Sequence, residues 1–135
     1  MGNPVASTPG TSLRLSVFAE RLAVCRMAPD SEIPAWATAA PFFSVTRTPG
    51  ELSVVCPEQV VPPEVLCERG WRALKLEGAF DLSLIGLLVS VVTPLAEAGV
   101  SVFALATYDT DYVLVKEEQL DHAAAALRRS GHEVR

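Results

Sequence analysis

Apolar residues recur along this chain with two different spacings, and the change between them marks out the elements of its second half. The segment LSLIGLLVSVVTPLAEAG, residues 82–99, is the most apolar. Its small and polar residues Ser83, Gly86, Ser90, Thr93 and Glu97 step by three and four and share one helical face. Leu84, Ile85, Leu88, Val91, Val92 and Leu95 cover the rest, a pattern that predicts a buried amphipathic helix rather than a membrane span. Asp81 or Ser83 is placed to cap its start, and Gly99 to end it in the left-handed conformation. Pro94 has no amide to give the carbonyl of Ser90, so a modest kink is expected, with water or a partner group as the substitute donor.

Strands flank that helix. WRALKLEG, residues 71–78, reads as one. VSVFALAT, residues 100–107, is apolar on both faces and predicts a central strand, and YVLVK, residues 112–116, alternates as a strand should. Leu120, Ala123, Ala124 and Leu127 then form the inner stripe of a second helix, which Gly131 stops, and HEVR opens a last strand. The order strand, helix, strand, strand, helix, strand predicts an α+β fold of the split, ferredoxin-like kind.

The first half carries an echo of the second. Shifted by sixty positions without a gap, FSVTRTPGELSVVCPEQV from Phe43 lies over FALATYDTDYVLVKEEQL from Phe103. Phe43 meets Phe103, Val55 meets Val115, Glu58 and Gln59 meet Glu118 and Gln119, and Pro34 meets Pro94. This predicts a duplicated unit. In the first copy the long helix shrinks to a turn near Trp36, and residues 13–27 supply a hairpin instead. Pro49 and Gly50 fit a type II turn, so the matching YDTD is expected to be a hairpin corner, where Asp109 and Asp111 offer acceptors to the turn backbone.

Composition narrows the functional classes. With 135 residues, half of them apolar, the chain can bury a sizeable core. Eleven basic residues scattered among sixteen acidic ones, for a net charge of -5, give no basic stripe and argue against nucleic acid as a partner. Cys25, Cys56 and Cys67 do not have zinc-ribbon or redox-pair spacing and read as reduced, mostly buried thiols of a cytoplasmic protein. The start, MGNPVASTPGTS, matches neither a secretory signal nor the myristoylation pattern, and a flexible tail over residues 1–12 is expected.

Candidate chemistry is sparse. His122 sits among alanines on the second helix and His132 follows a helix end, neither near a serine elbow. Cys56, in an alternating strand, has the setting of an inert buried thiol. No phosphate-binding glycine loop is present, and Asp109, Asp111, Glu117 and Glu118 lack the spacing and glycine of a calcium loop. No catalytic residue, metal or cofactor is therefore assigned.

The run TPLAEAGVSVFALATYDTDYVLVKEEQL resembles the amino-acid-binding regulatory modules called ACT domains, most closely the small tandem ACT proteins related to the cytosolic arginine sensors of animals. PLAEAGVS followed closely by TYDTDYVLV is its specific part. FFSVTRTPGELSVVCPE resembles a first, degenerate module, so the resemblance implies modules at residues 13–68 and 69–135. It further implies a non-catalytic sensor for a small ligand, an amino acid, and no membrane partner. The site would lie at the loop after the first helix, Glu97, Gly99, Val100 and Ser101, with contacts from the hairpin residues Thr107, Tyr108, Thr110 and Asp111. Free backbone amides and carbonyls at the loop would meet the ligand's own polar groups, and Asp111 would hold a cationic one. An interaction module that keeps the fold without a ligand is the alternative. A homodimer is expected, through the strip Ser83, Gly86 and Ser90 or through a sheet edge.

Overall fold

In the computed structural model, residues 12–77 and 86–135 are described; the expected caps Asp81 and Ser83 fall outside them. The chain forms two compact units, one of residues up to Phe18 and from Arg72 onward, the other Ala19–Trp71.

The first unit contains β1 (Arg14–Val17), the later part of β5 (Cys67–Leu76), α1 (Leu87–Glu97), β6 (Phe103–Ala106), β7 (Asp111–Lys116), α2 (Leu120–Arg129) and β8 (Glu133–Val134). From β5 onward this is the ferredoxin-like α+β sequence of elements. The strands run β8, β1, β5, β7, β6, which is the ferredoxin-like order with β1 inserted between the last strand and the first. β1 is antiparallel to β5 and parallel to β8. Residues 13–18 thus pack in the same unit as the second half of the chain. One core lies between sheet and helices, built from Leu15, Leu74, Leu76, Val91, Leu95, Val113, Val115, Ala123 and Leu127. The inner stripe expected for α2 is in it, with Leu120 packed against its edge. Asp121 in the first turn of α2 and Arg128 and Arg129 in the last suit the helix dipole.

The other unit holds β2 (Leu22–Met27), β3 (Ser44–Thr48), β4 (Glu51–Pro57) and the earlier part of β5, in the order β3, β4, β2, β5. Its helical content is limited to the short 3-10 turns Ala35–Thr38 and Glu58–Val60, so the expected turn near Trp36 is present. Ala23, Cys25, Ala37, Val54, Cys56 and Val61 make its core.

Several local expectations are corrected. β1 and β2 do not form a hairpin: β1 pairs with the later residues of β5 and β2 with its earlier ones. Among the described residues β6 pairs only with β7, and Ala104 and Ala106 are exposed, so it is an edge rather than a central strand. Ala104 and Ala106 on one face lose little by exposure, so the apolar run does not by itself require cover on both faces. Gly50 does not take a positive φ, which excludes the type II turn. The hairpins β3–β4 and β6–β7 both form, but they close at Thr48↔Glu51 and Ala106↔Asp111, a two-residue difference in register under the sixty-residue shift. Because that difference is even, each residue keeps its face.

The prediction for Pro94 meets a specific partner. Ser90 is buried rather than on a wet polar face, and its carbonyl accepts a hydrogen bond from His132 Nε2 at 2.8 Å. The Leu13 amide donates to His132 Nδ1 at 3.1 Å, so the proton sits on Nε2 and both ring nitrogens are satisfied. The helix carbonyl left without a donor by proline is thereby tied to the segment after α2 and to β1. Ser90 is thus enclosed and offers no free surface to a second helix; Ser83 of the expected strip lies outside the described residues.

Candidate functional site at the end of the first helix

The C-terminus of α1 is shaped by Gly99, whose φ of 77° places it in the left-handed region. The Gly99 amide donates to Ala96 O at 3.0 Å and the Val100 amide to Leu95 O at 2.9 Å. This is a Schellman end, with Val100 and Leu95 both in the core beneath it. Side chains from the start of α2 take the outward carbonyls: His122 Nε2 lies 3.0 Å from Ala98 O, and Gln119 Nε2 donates to Gly99 O at 3.5 Å. The expected supply of free backbone groups is therefore largely used up by the cap itself. Val100 is buried, while Glu97, Gly99 and Ser101 are exposed.

Beside this loop is a shallow depression of about 170 Å³ lined by Pro94, Glu97, Ala98, Ala126, Arg129 and Ser130. Glu97 and Arg129 bring opposite charges to it, and among the described residues neither side chain has a hydrogen bond or ion pair. An ammonium and a carboxylate on one small molecule match such a pair.

The corner residues are elsewhere. Thr107 N and Oγ1 both donate to Thr110 O, at 2.8 and 3.0 Å, and the Thr110 amide donates to Thr107 Oγ1 at 3.2 Å. Thr110 Oγ1 in turn donates to Leu76 O at 2.5 Å. Threonine, not aspartate, builds this corner: Asp109 and Asp111 make no side-chain hydrogen bond among the described residues. The same holds in the other hairpin, where the Gly50 and Glu51 amides donate to Thr48 Oγ1. Tyr108 is 87% exposed. The four residues of β6 lie between loop and corner, and at about 3.3 Å per residue they alone set the two roughly 10 Å apart. Glu97 is the one residue of the expected set that lines the depression; Thr107, Tyr108, Thr110 and Asp111 do not.

Sequence reasoning did not place Gln119, His122 or Arg129 at this helix end. Gln119 could have been found, since it recurs as Gln59 under the sixty-residue shift; Arg129 reads only as a helix-ending cation until α2 is packed on α1.

Groups whose proton affinity is displaced lie away from this depression. Hydrogen bonding to Cys56, together with burial, pushes the Cys25 thiol up, and Cys56 is lowered by accepting from Cys25. Burial raises Cys67, and Arg135 holds the exposed Glu133 carboxyl below its ordinary value. Among the described residues no group of three or more His, Cys, Asp or Glu converges to hold a metal, and no helix is long and apolar enough to cross a membrane.

Comparison with known proteins places this geometry in a family. The family model described as an ACT domain matches residues 66–129, and a model for an N-terminal domain matches residues 20–64. A crystal structure of a protein from Agrobacterium tumefaciens is 34% identical, with a TM-score of 0.85 over 92% of each chain. The chain is also 34% identical over 99 residues to the cytosolic arginine sensor for mTORC1 subunit 1 of Bos taurus, of whose length it spans 30%. The ligand-free regulatory subunit of aspartate kinase from Thermus thermophilus shares the fold, with a TM-score of 0.58 at 13% identity over 84% of this chain and 96% of that one. With a relative of matching length at 34% identity, the ACT-domain match from β5 to α2 and the ferredoxin-like strand order in hand, the chain belongs to the ACT-domain family.

Proposed function

We propose that this chain is a non-catalytic regulatory protein that senses a small zwitterionic ligand, an amino acid, at the C-terminal end of α1. The observation that carries this reading is the pairing of Glu97 with Arg129 across one depression, two opposite charges with no ion pair among the described residues. Glu97 would receive the ligand's ammonium and Arg129 its carboxylate. Gly99 ends the helix beside the depression, and Val100 and Ser101 follow it outside the lining. The bovine relative's name makes arginine the first amino acid to test.

The two halves are proposed to be tandem modules of one type, divided at about residues 68–69, the first degenerate. The formation of a hairpin at both ends of the sixty-residue shift supports this. The corner Thr107, Tyr108, Thr110 and Asp111 remains in the proposal as a separate polar surface, where Asp111 would meet a cationic side chain or partner.

Calorimetry and thermal shift with the free amino acids test the ligand. Binding to the native state alone must raise the melting temperature. Glu97→Gln and Arg129→Gln should each weaken binding by about 1.5 to 3 kcal/mol, the range for a hydrogen bond to a charged group. Loss on Asp111→Asn with none on Glu97→Gln would move the site to the corner. A melting temperature unmoved by every amino acid would end the sensor reading.

A second reading, an interaction module without ligand, is favoured by the edge strand β6, whose Ala104 and Ala106 are exposed. Homodimers formed through that edge would be disrupted by Ala104→Pro, which denies an amide to a neighbouring strand. Sedimentation of a monomer for both wild type and variant would remove the dimer from the proposal.

A further inference from the structure

The unit Ala19–Trp71 brings three thiols together that the ligand reading does not use. Cys25 on β2 stands directly opposite Cys67 on β5, and Cys56 on β4 lies opposite Ala23, two residues along from Cys25's own partner Val54. The Arg26 amide donates to Leu66 O at 3.0 Å. In an antiparallel ladder that bond connects the residues just outside a non-hydrogen-bonded pair, which makes Cys25 and Cys67 such a pair. Residues in that position have Cα atoms about 4.5 Å apart, with side chains closer than at the alternate sites. That separation is inside the range of about 4.4–6.8 Å that a disulfide spans. Cys56 is instead diagonal to Cys25, at a typical Cα separation of about 7–8 Å, beyond easy bridging.

Accessibility sorts the roles. Cys25 and Cys56 are buried, at 1% and 0% exposed, whereas Cys67 is only partly enclosed. The Cys67 thiol donates to Cys25, which donates to Cys56. Arg69, two residues along β5, hydrogen-bonds the Cys67 sulfur and favours its thiolate.

We propose that Cys67 is a modification site for low-molecular-weight disulfides and that Cys25 resolves the adduct into an internal Cys25–Cys67 disulfide linking β2 to β5. The Cys67 thiolate attacks one sulfur of the small disulfide, whose S–S bond breaks, releasing one thiolate and leaving a mixed disulfide on Cys67. Cys25 passes its proton to the Cys56 sulfur, to which it already donates, and its own sulfur attacks Cys67 Sγ, expelling the second small thiolate. Two protein thiols are oxidised and one small disulfide is reduced to two thiols, so no further oxidant is needed. Burial holds the Cys67 thiol above its ordinary value, and the first step therefore quickens as pH rises and the thiolate population grows.

The test is to treat the folded protein with oxidised glutathione and map its peptides without reduction. The wild type should lose two hydrogens and yield a Cys25–Cys67 linked peptide, formed faster at alkaline than at neutral pH. Cys25→Ser should stop at glutathione on Cys67, Cys67→Ser should take up nothing at these positions, and Cys56→Ser should still close the bridge. Circular dichroism identifies variants that fail to fold, and the wild-type map decides without them. A bridge that contains Cys56, a rate insensitive to pH, or a native protein that stays reduced while its urea-unfolded form is oxidised would each overturn the proposal.

Discussion

Hairpin β3–β4 belongs to a core of alanine, valine and cysteine with one 3-10 turn, Ala35–Thr38, contributing Ala37. Hairpin β6–β7 belongs to a core in which Leu74, Leu76, Leu95 and Leu127 fill the space between a sheet and two α-helices. Similar strand patterns thus serve two kinds of interior. A helix standing off a sheet leaves a volume that long side chains must fill to reach ordinary packing density, while a short turn lies close enough for methyl-sized groups and sulfurs. The difference shows that a hairpin can be covered without an α-helix behind it when small residues such as Ala23, Ala37 and the cysteines line the contact.

Truncation of the two cores is the strongest way to break this contrast. Leu95→Ala or Leu127→Ala should cost about 2–5 kcal/mol in denaturant unfolding. Cys56→Ala, which removes one buried sulfur, should cost about 1 kcal/mol, near the mean for single substitutions. Equal costs would mean that the two interiors are equivalent.

The two matched prolines separate the halves next. His132→Ala leaves the Ser90 carbonyl and the Leu13 amide without their partners. At about 1–3 kcal/mol for each unsatisfied buried group, a loss of roughly 2–6 kcal/mol is expected. Pro94→Ala in that background returns an amide within reach of Ser90 and should recover about 1 kcal/mol. Pro34, before the 3-10 turn, has no such helix carbonyl behind it, and Pro34→Ala should behave the same with or without His132. No recovery with Pro94→Ala would show that His132 acts by packing alone.

Glycines come third. Gly99→Ala places its Cβ in open space, so only the left-handed backbone opposes it, at about 1–2 kcal/mol. Gly50→Ala, without a positive φ, should stay within about 0.5 kcal/mol. The corners follow: Thr48→Val and Thr107→Val should each lose about 0.5–1.5 kcal/mol, and Asp109→Asn next to nothing. A larger loss for Asp109→Asn would restore aspartate as the corner's builder.

The smallest effect is electrostatic and belongs to the helical half alone. Glu133 accepts from Arg135 Nε at 2.7 Å and lies near Arg14, which lowers its carboxyl below the ordinary range. A lowered folded-state value contributes stability above the unfolded value, and that contribution is lost as pH falls through the folded one. Glu133→Gln should therefore narrow its gap from wild type in melting temperature at acid pH, with a minor gap at neutral pH because the pair is exposed. A gap that widens in acid would show that the pair does not act this way.

The sequence alone determined what is local. The period of α2 fixed its inner stripe, the glycine after each long helix marked a left-handed stop, and alternation set both hairpins, because each depends on neighbours within a few residues. The face of α1 was misjudged at Ser90, since a buried serine carbonyl is tolerable only when a distant histidine supplies the hydrogen bond that proline removed. The candidate site was half legible. Glu97 and Gly99 followed from the helix end, but Arg129 joined them only when α2 packed against α1, and the corner Thr107–Asp111 was set apart by the extended length of β6. Strand partners were the least legible feature: β1 could have paired with β2, yet it lies between β5 and β8. Which strand a segment pairs with depends on the burial of a whole face against residues more than a hundred positions away, and only the tertiary structure decides that.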